Sequence, residues 1–276
     1  MGDDGVTSGE DLVGGTAGSR DLAHDPCPVR IGPVIDQMEA DQAIGLLAEQ
    51  LRPYPIDAIP QPRRHDDRPF GPTLVGAWAD DGLVGAALIG PGVKAAEGLV
   101  DVLGGTPASY HAAQVVLRYA AMVEGIAVRP DRRREGIGPE IKRWLDVFAA
   151  QHGAGLVLGI PVNEGSRRLN EKAGHKVLDP DVALVLQVHD RHGVPVAPPA
   201  GQNRSQSEGY SAWEFRPLAR MRGAFIQVGQ SHGYSIRVGQ YPARPEDRAD
   251  TQAATVGWYR LTAGGYAMET ERLPWA

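Results

Sequence analysis

Residues 125–138 read GIAVRPDRRREGIG. An apolar run closes at Pro130, a cluster of arginines follows, and the stretch ends in Gly-Ile-Gly. PEIKRWLDVFAAQHG comes next, with Ile141, Trp144, Leu145 and Phe148 recurring at helical spacing. Pro139 suits a first helical turn and Gly153 the residue after the last. The order is therefore strand, Arg-rich turn, helix. A helix start carries unpaired N–H groups and a partial positive charge. Glycines let backbone approach a bulky anion without a side chain in the way. Together these features suit a pyrophosphate cradle, the other reading being an ordinary turn with a solvated basic run. A P-loop would need G-x-x-x-x-G-K-[ST], which is missing here, and a dinucleotide fingerprint would need a third glycine where Ile141 stands.

The rest of the chain sets the frame for that turn. Its 276 residues suit one large domain or two small ones, and 42% hydrophobic content is enough for a packed core. The formal net charge of -6 argues against nucleic acid as a partner. The single cysteine, Cys27, excludes an intrachain disulfide and a multi-cysteine metal site. No metal is expected. No run has the apolar length of a membrane span, and the acidic, Gly-rich start lacks the regions of a signal peptide. The expected location is the cytoplasm, with no membrane partner.

Periodicity divides the chain into four parts. Residues 1–27 read as a disordered tail and 28–190 as a mixed α/β domain. Residues 191–209 read as a Pro/Gly/Ser-rich linker, and 210–276 as a β-rich C-terminal extension. Within the domain, MEADQAIGLLAEQLRP places Ala40, Ala43, Ile44, Leu47 and Leu51 on one helical face. The Pro-rich residues 53–72 read as a loop. TLVGAWA and LVGAALIG, around Asp80-Asp81-Gly82, read as a hairpin. AAEGLVDVL suggests a short helix and GGTPAS a turn. VVLRYAAMVEGIAV then reads as strand to Val128. GLVLGIP, SRRLNEKAG and VALVLQVHD read as strand, helix and strand.

IAVRPDRRREGIG resembles the cofactor signature of the GCN5-related N-acetyltransferases, with Arg133, Gly136 and Gly138 at its defining positions. The V-x-P that often precedes the signature is Val128 to Pro130. NEGSRRLNEKAGHKVL, from Asn163, is similar to a second family segment, N-x-x-A-x-x-L-Y-E-K-x-G-F. The resemblance spans roughly residues 29–190 and is sharp only over 122–178. It implies a mixed-sheet α/β acyltransferase fold with acetyl-CoA as acyl donor. It assigns the pyrophosphate to the backbone of Arg133, Arg134, Glu135, Gly136, Ile137 and Gly138. The pantetheine arm would run beside Ile126, Ala127 and Val128, while Asn163 and Asn170 match positions that face the cofactor.

The implied reaction is direct attack of a primary amine, on a small molecule or peptide, in a ternary complex. An alkyl amine of pKa about 10.4 arrives protonated, so a base must take its proton. The resemblance points to Glu124, and period-two alternation places it on one face with Ile126. A solvent-facing or ion-paired Glu124 is the other reading. The oxyanion would take a backbone N–H near Ile126. The family's frequent proton donor is the Tyr of L-Y-E-K, where this chain has Asn170, which cannot serve as an acid; the thiolate would leave unassisted, take a proton from water, or take one from another residue such as Tyr110. Two alternatives stand: transfer from a carrier-bound or longer acyl thioester, and, suggested by Asn170, a non-catalytic CoA-binding regulatory module.

Other signals carry less. GQSHG, at Gly229 to Gly233, matches G-x-S-x-G but lies between strands, so a hairpin turn is expected rather than a nucleophile elbow. His189 and His192 read as loop residues. Arg132 to Arg134 are flanked by acids, which disfavours a nucleic-acid role. Trp213, Trp258 and Trp275 read as core or interface anchors. The extension, with Phe225, Ile226, Ile236, Trp258 and Tyr259, is too short for a robust core of its own. It must bury these side chains against the domain or against a second subunit, so a homodimer is one arrangement.

Overall fold

The computed structural model describes residues 29–51, 71–180, 182–202, 212–242 and 253–274. The expected N-terminal tail, nearly all of the 53–72 loop, the second half of the linker and Trp275 lie outside these residues. The first sheet begins with β1 (Arg30–Pro33), β2 (Thr73–Ala79) and β3 (Gly82–Pro91). It continues through β4 (Ala120–Val128) and β5 (Leu156–Gly159). Two further strands, β6 (Lys176–Val177) and β9 (Glu214–Pro217), complete its order β1-β2-β3-β4-β5-β9-β6. Only β4 and β5 run parallel; the other pairs are antiparallel, so the sheet is mixed.

Helices cover both faces. In α1 (Gln37–Gln50), Asp36 caps the N-terminus by accepting from the Glu39 N–H, and Ala40, Ala43 and Leu47 face the sheet. They meet Leu74, Ala86 and Leu88. The alternate residues Val75, Ala87 and Ile89 point the other way, onto α4 (Ile137–Gln151). Between β3 and β4 come α2 (Val93–Leu103) and α3 (Pro107–Tyr119). The sequence reading missed α3, assigning residues 115–119 to a strand. Thr106 caps this helix from the Ser109 N–H, Pro107 opens it, and Ala112, Ala113, Val115 and Val116 bury one face. The β-branched valines suggested a strand, but tertiary burial of a helical stripe overrides that propensity.

The second sheet begins with β7 (Val182–Asp190) and β8 (Ala200–Gln202), then β10 (Met221–Arg222) and β11 (Phe225–Val228). It is completed by β12 (Tyr234–Pro242), β13 (Ala253–Thr262) and β14 (Gly265–Pro274). β12 pairs β7 along its whole length on one edge. Its other edge is shared by β11 and, further along, β13. Residues 200–202, read as linker, form β8 against β7 because Gln202 is anchored: its Nε2 donates to Ala95 O at 2.8 Å. His189, read as a loop residue, is a buried residue of β7 packed edge-on against Phe225. GQSHG forms the turn between β11 and β12, as expected. Trp213, Phe215, Ile226, Ile236 and Tyr259 share one core with α2, α3 and β5. The extension's apolar side chains are thus buried against the domain.

A charged cluster lies under this junction. Lys142 Nζ on α4 meets Glu214 Oε1 on β9 at 2.5 Å, with both side chains 1% exposed. His175 sits between acids, its Nδ1 3.1 Å from Glu214 Oε2 and its Nε2 3.1 Å from Asp146 Oδ2. Arg216 donates to Asp146 at 2.8 Å. Burial alone would raise the Glu214 carboxyl, but the Lys142 ammonium and His175 hold it below the usual carboxylate range. Its stabilising contribution is therefore present above the unfolded-state value and is lost as pH falls through the folded value. Glu214→Gln should cost about 3–5 kcal/mol in urea denaturation, because it leaves the Lys142 charge buried alone. It should also flatten the acid limb of the stability profile. Pairing it with Lys142→Met should restore part of the loss.

Candidate active site

The site is built where β4 leaves β5. β4 pairs β5 only from Ala120↔Leu156 to Val123↔Gly159, while its pairing with β3 continues to Val128. Among the described residues, no strand pairs with the β5-side edge of β4 over residues 124–128. The divergence begins at a bulge. The β3 register steps from Ile89↔Val123 to Leu88↔Gly125, so Glu124 is the extra residue on β4. Val123 and Ile126, three residues apart, consequently pack into the same core. Simple alternation thus does not carry from Glu124 to Ile126, and the bulge re-aims the Glu124 side chain. Its Oε2 lies 2.5 Å from Lys94 Nζ, in the first turn of α2.

Beyond β4 the chain makes a 3-10 turn over Pro130–Arg132 and enters α4. Arg134 has φ 71° and Gly136 φ 85°. Left-handed backbone at both positions curls the 133–138 segment ahead of the helix, and Gly136 does so without a Cβ penalty. Ile137 and Gly138 open the helix, where first-turn N–H groups have no intrahelical acceptor. Gly138 also permits close packing: a Cβ there would stand 2.7 Å from Leu169 Cδ1. Leu169 belongs to α5 (Glu164–Lys172). A bulky residue at 138 would therefore disturb the α4–α5 contact as well as any anion, and Gly136 is the cleaner probe.

The arginines sort into two groups. Arg129 reaches Asp81 at 2.5 Å and Asp131 at 2.8 Å. Arg132 reaches Asp81 at 2.7 Å and Glu135 at 2.9 Å. Both brace the turn against the β2–β3 hairpin tip. The Arg129 guanidinium, with Arg132 helping, holds the Asp81 carboxyl below its usual range. Arg133 instead bonds Gln50 of α1 and the Val128 carbonyl. Arg134 is exposed beside the helix start. The charge left for an anion is thus that of Arg133 and Arg134. Sequence reading did not find the Asp81 brace, whose only signal was an acidic hairpin turn 48 residues before Arg129.

The two asparagines differ. Asn163 caps α5, its Oδ1 accepting from the Ser166 N–H at 2.8 Å while Ser166 Oγ accepts from the Asn163 N–H at 3.1 Å. That leaves the Asn163 amide N–H2 for other partners. Asn170, on the same helix, is 6% exposed. Both lie on the helix that packs against the start of α4.

The acetyltransferase (GNAT) family model matches residues 42–175. This stretch, from within α1 through α5, is therefore similar to a GNAT acetyltransferase domain. Similar solved structures include the ribosomal-protein-S18-alanine N-acetyltransferase from Escherichia coli. It is 10% identical with a TM-score of 0.42, over 70% of this chain and 96% of that one. A Bacillus subtilis acetyltransferase in complex with CoA is 16% identical with a TM-score of 0.40, over 68% and 98%. No curated protein matches.

Two substitutions probe the loop. Gly136→Val forces a β-branched residue into φ 85° and should cost about 1–2 kcal/mol of stability. It should also weaken CoA binding in calorimetry well beyond any effect on melting. Asp81→Asn should change stability little, since its pairs are exposed. By loosening the brace it should weaken CoA binding severalfold; unchanged affinity would show the hairpin to be irrelevant to the loop.

Proposed function

We propose that this protein is an acetyl-CoA-dependent N-acetyltransferase acting on a primary amine by direct transfer in a ternary complex. The observation that carries the reading is the edge of β4 beyond Val123, unpaired among the described residues, which leads straight into the left-handed turn at Arg134 and Gly136. An exposed strand edge suits the amide-bearing pantetheine arm, taken up as another strand would be. The turn and the start of α4 suit a pyrophosphate. The residues present therefore fit an acyl-CoA: Ile126, Ala127 and Val128 for the arm, and residues 133–138 for the phosphates. Asn163 would donate from its free amide hydrogens and Asn170 would face the arm from α5.

The thioester supplies the activated acyl group, and this chain's residues handle the proton and the charge. Glu124 takes a proton from the acceptor ammonium, directly or through water. A backbone N–H near Ile126 stabilises the oxyanion, an interaction that strengthens as negative charge develops. Asn170 cannot protonate the departing thiolate, so that proton comes from water. The residues assigned to the chemistry lie within 28–190, while the C-terminal part supplies β9 to the first sheet and buries its apolar side chains against the domain. The expected setting is cytoplasmic, with no metal and no nucleic acid involved.

The test is thiol release from acetyl-CoA with an amine panel. Glu124→Gln should lower turnover at neutral pH by about 10²–10⁴-fold with CoA affinity nearly unchanged. Part of the rate should return at high pH, where the amine is already neutral. Full activity of the variant at neutral pH would exclude Glu124 as the base. Tight CoA binding without thiol release from any amine would favour a CoA-binding module instead.

A further inference from the structure

Glu124 is not alone at the opening between β4 and β5. Its carboxylate is held by Lys94 at 2.5 Å, with side chains 21% and 52% exposed. The two residues come from different elements, the bulge of β4 and the first turn of α2. The pair is not needed to join those elements. Pro91↔Ala121 pairing and the Gly92 N–H to Ala120 O bond, at 2.9 Å, already do so. It differs from the buried Lys142–Glu214 pair, and from the Asp81 pairs that brace a loop.

An acceptor that uses Glu124 as base must bring its ammonium to the carboxylate that Lys94 already holds through Oε2. A simple monocation would set a second positive charge beside the Lys94 ammonium on one carboxylate, which is repulsive. A zwitterion avoids this. Its ammonium takes Glu124, its anion takes Lys94, and every charge keeps an opposite neighbour. An exposed pair of this kind opens at little cost.

We propose that the Lys94–Glu124 pair is the acceptor-recognition site for a small zwitterion. The acceptor is a primary amine carrying a carboxylate, or another anion such as a phosphonate, a short distance away, and Lys94 selects it. This rests on the acyltransferase reading of the site. In the reaction, the amine passes one proton to Glu124 and its nitrogen forms a C–N bond to the acetyl carbonyl carbon. The C–S bond breaks, and the thiolate leaves with the electron pair and is protonated by water. As the amide forms, the nitrogen gives its second proton to water, which offsets the proton the thiolate takes from water, so the net proton released is the one held on Glu124. The N-acetyl product keeps its anion but no longer carries a cation for Glu124. Once Glu124 has passed its proton to water, Lys94 can return to the carboxylate, which favours release.

The experiment uses the full chain with acetyl-CoA and matched acceptor sets: α-amino acids, their amides, the corresponding decarboxylated amines, and aminoalkyl phosphonates. Thiol release gives kcat/KM, and calorimetry on the CoA-saturated protein gives binding without turnover. The zwitterions should exceed the amides and plain amines by roughly tenfold or more, the scale of one charged hydrogen bond. The phosphonate arm shows which anion is preferred. Lys94→Gln should remove that preference, and Lys94→Glu should shift it toward diamines, with CoA affinity unchanged in both. Equal use of amides and amino acids, a preference that survives Lys94→Gln, or no binding by any zwitterion would each overturn the proposal. Failure of the base assignment is distinguishable. An active Glu124→Gln variant that still prefers zwitterions would remove the base and leave the selection by Lys94. An inactive Glu124→Gln variant beside an indiscriminate wild type would do the reverse.

Discussion

Lys142 and Glu214 meet at 2.5 Å in the interior, 72 residues apart in sequence. A buried ion pair adds little net stability, but it heavily penalises any arrangement that leaves one charge alone. That asymmetry explains much of the architecture. Lys142 sits one turn into α4, beyond Gly138. It can be buried there only if β9 enters the sheet beside β5 with Glu214 pointing at α4. Gly159 makes the room, since Glu214 occupies the space its Cβ would fill. His175, Asp146 and Arg216 then tie the start of β6, α4 and β9 into one charged cluster.

This places the C-terminal part of the chain under the active-site helix rather than beside it. β9 separates β5 from β6 within the first sheet, and β12 runs along the full length of β7 in the second. The core that includes Phe215 and Tyr259 also includes α2, α3 and β5. The helix that presents the cradle and the strand that splays from β4 are therefore backed by residues more than 50 positions further along. Rigidity at the back lets the front stay open, because β4 can leave β5 after Val123 without either strand losing its other partner.

Electrostatics at the opening are equally divided. Acidic residues of the hairpin and the turn neutralise Arg129 and Arg132, and these pairs shape the loop. Arg133 and Arg134 remain to meet an anion. An acidic chain can thus hold a locally cationic pocket, because the field near a site is set by which charges are already paired. The residue types of 129–135 suggest an anion site, and the Asp81 contacts show which arginines are already paired within the protein.

Local chemistry was legible without the fold. Pro130, Gly136, Gly138 and the helical stripe of Ile141, Leu145 and Phe148 act within a few residues of one another, so strand, turn and helix could be read in order. The α/β class follows from that order, and so does the proposal of a cradle. Four features could not be read: helix α3, the bulge at Glu124, the partition of the arginines, and the joining of β9 to the first sheet. The valines of α3 fit a strand or a helix until the core chooses, and a bulge depends on the neighbouring strand's register. Asp81 and Lys94 gain their meaning from partners 48 and 30 residues away. Sequence patterns report periodicity and backbone freedom, which are properties of neighbours along the chain. Charge pairing and strand insertion are settled by which distant groups must leave water together, and only the tertiary structure decides that.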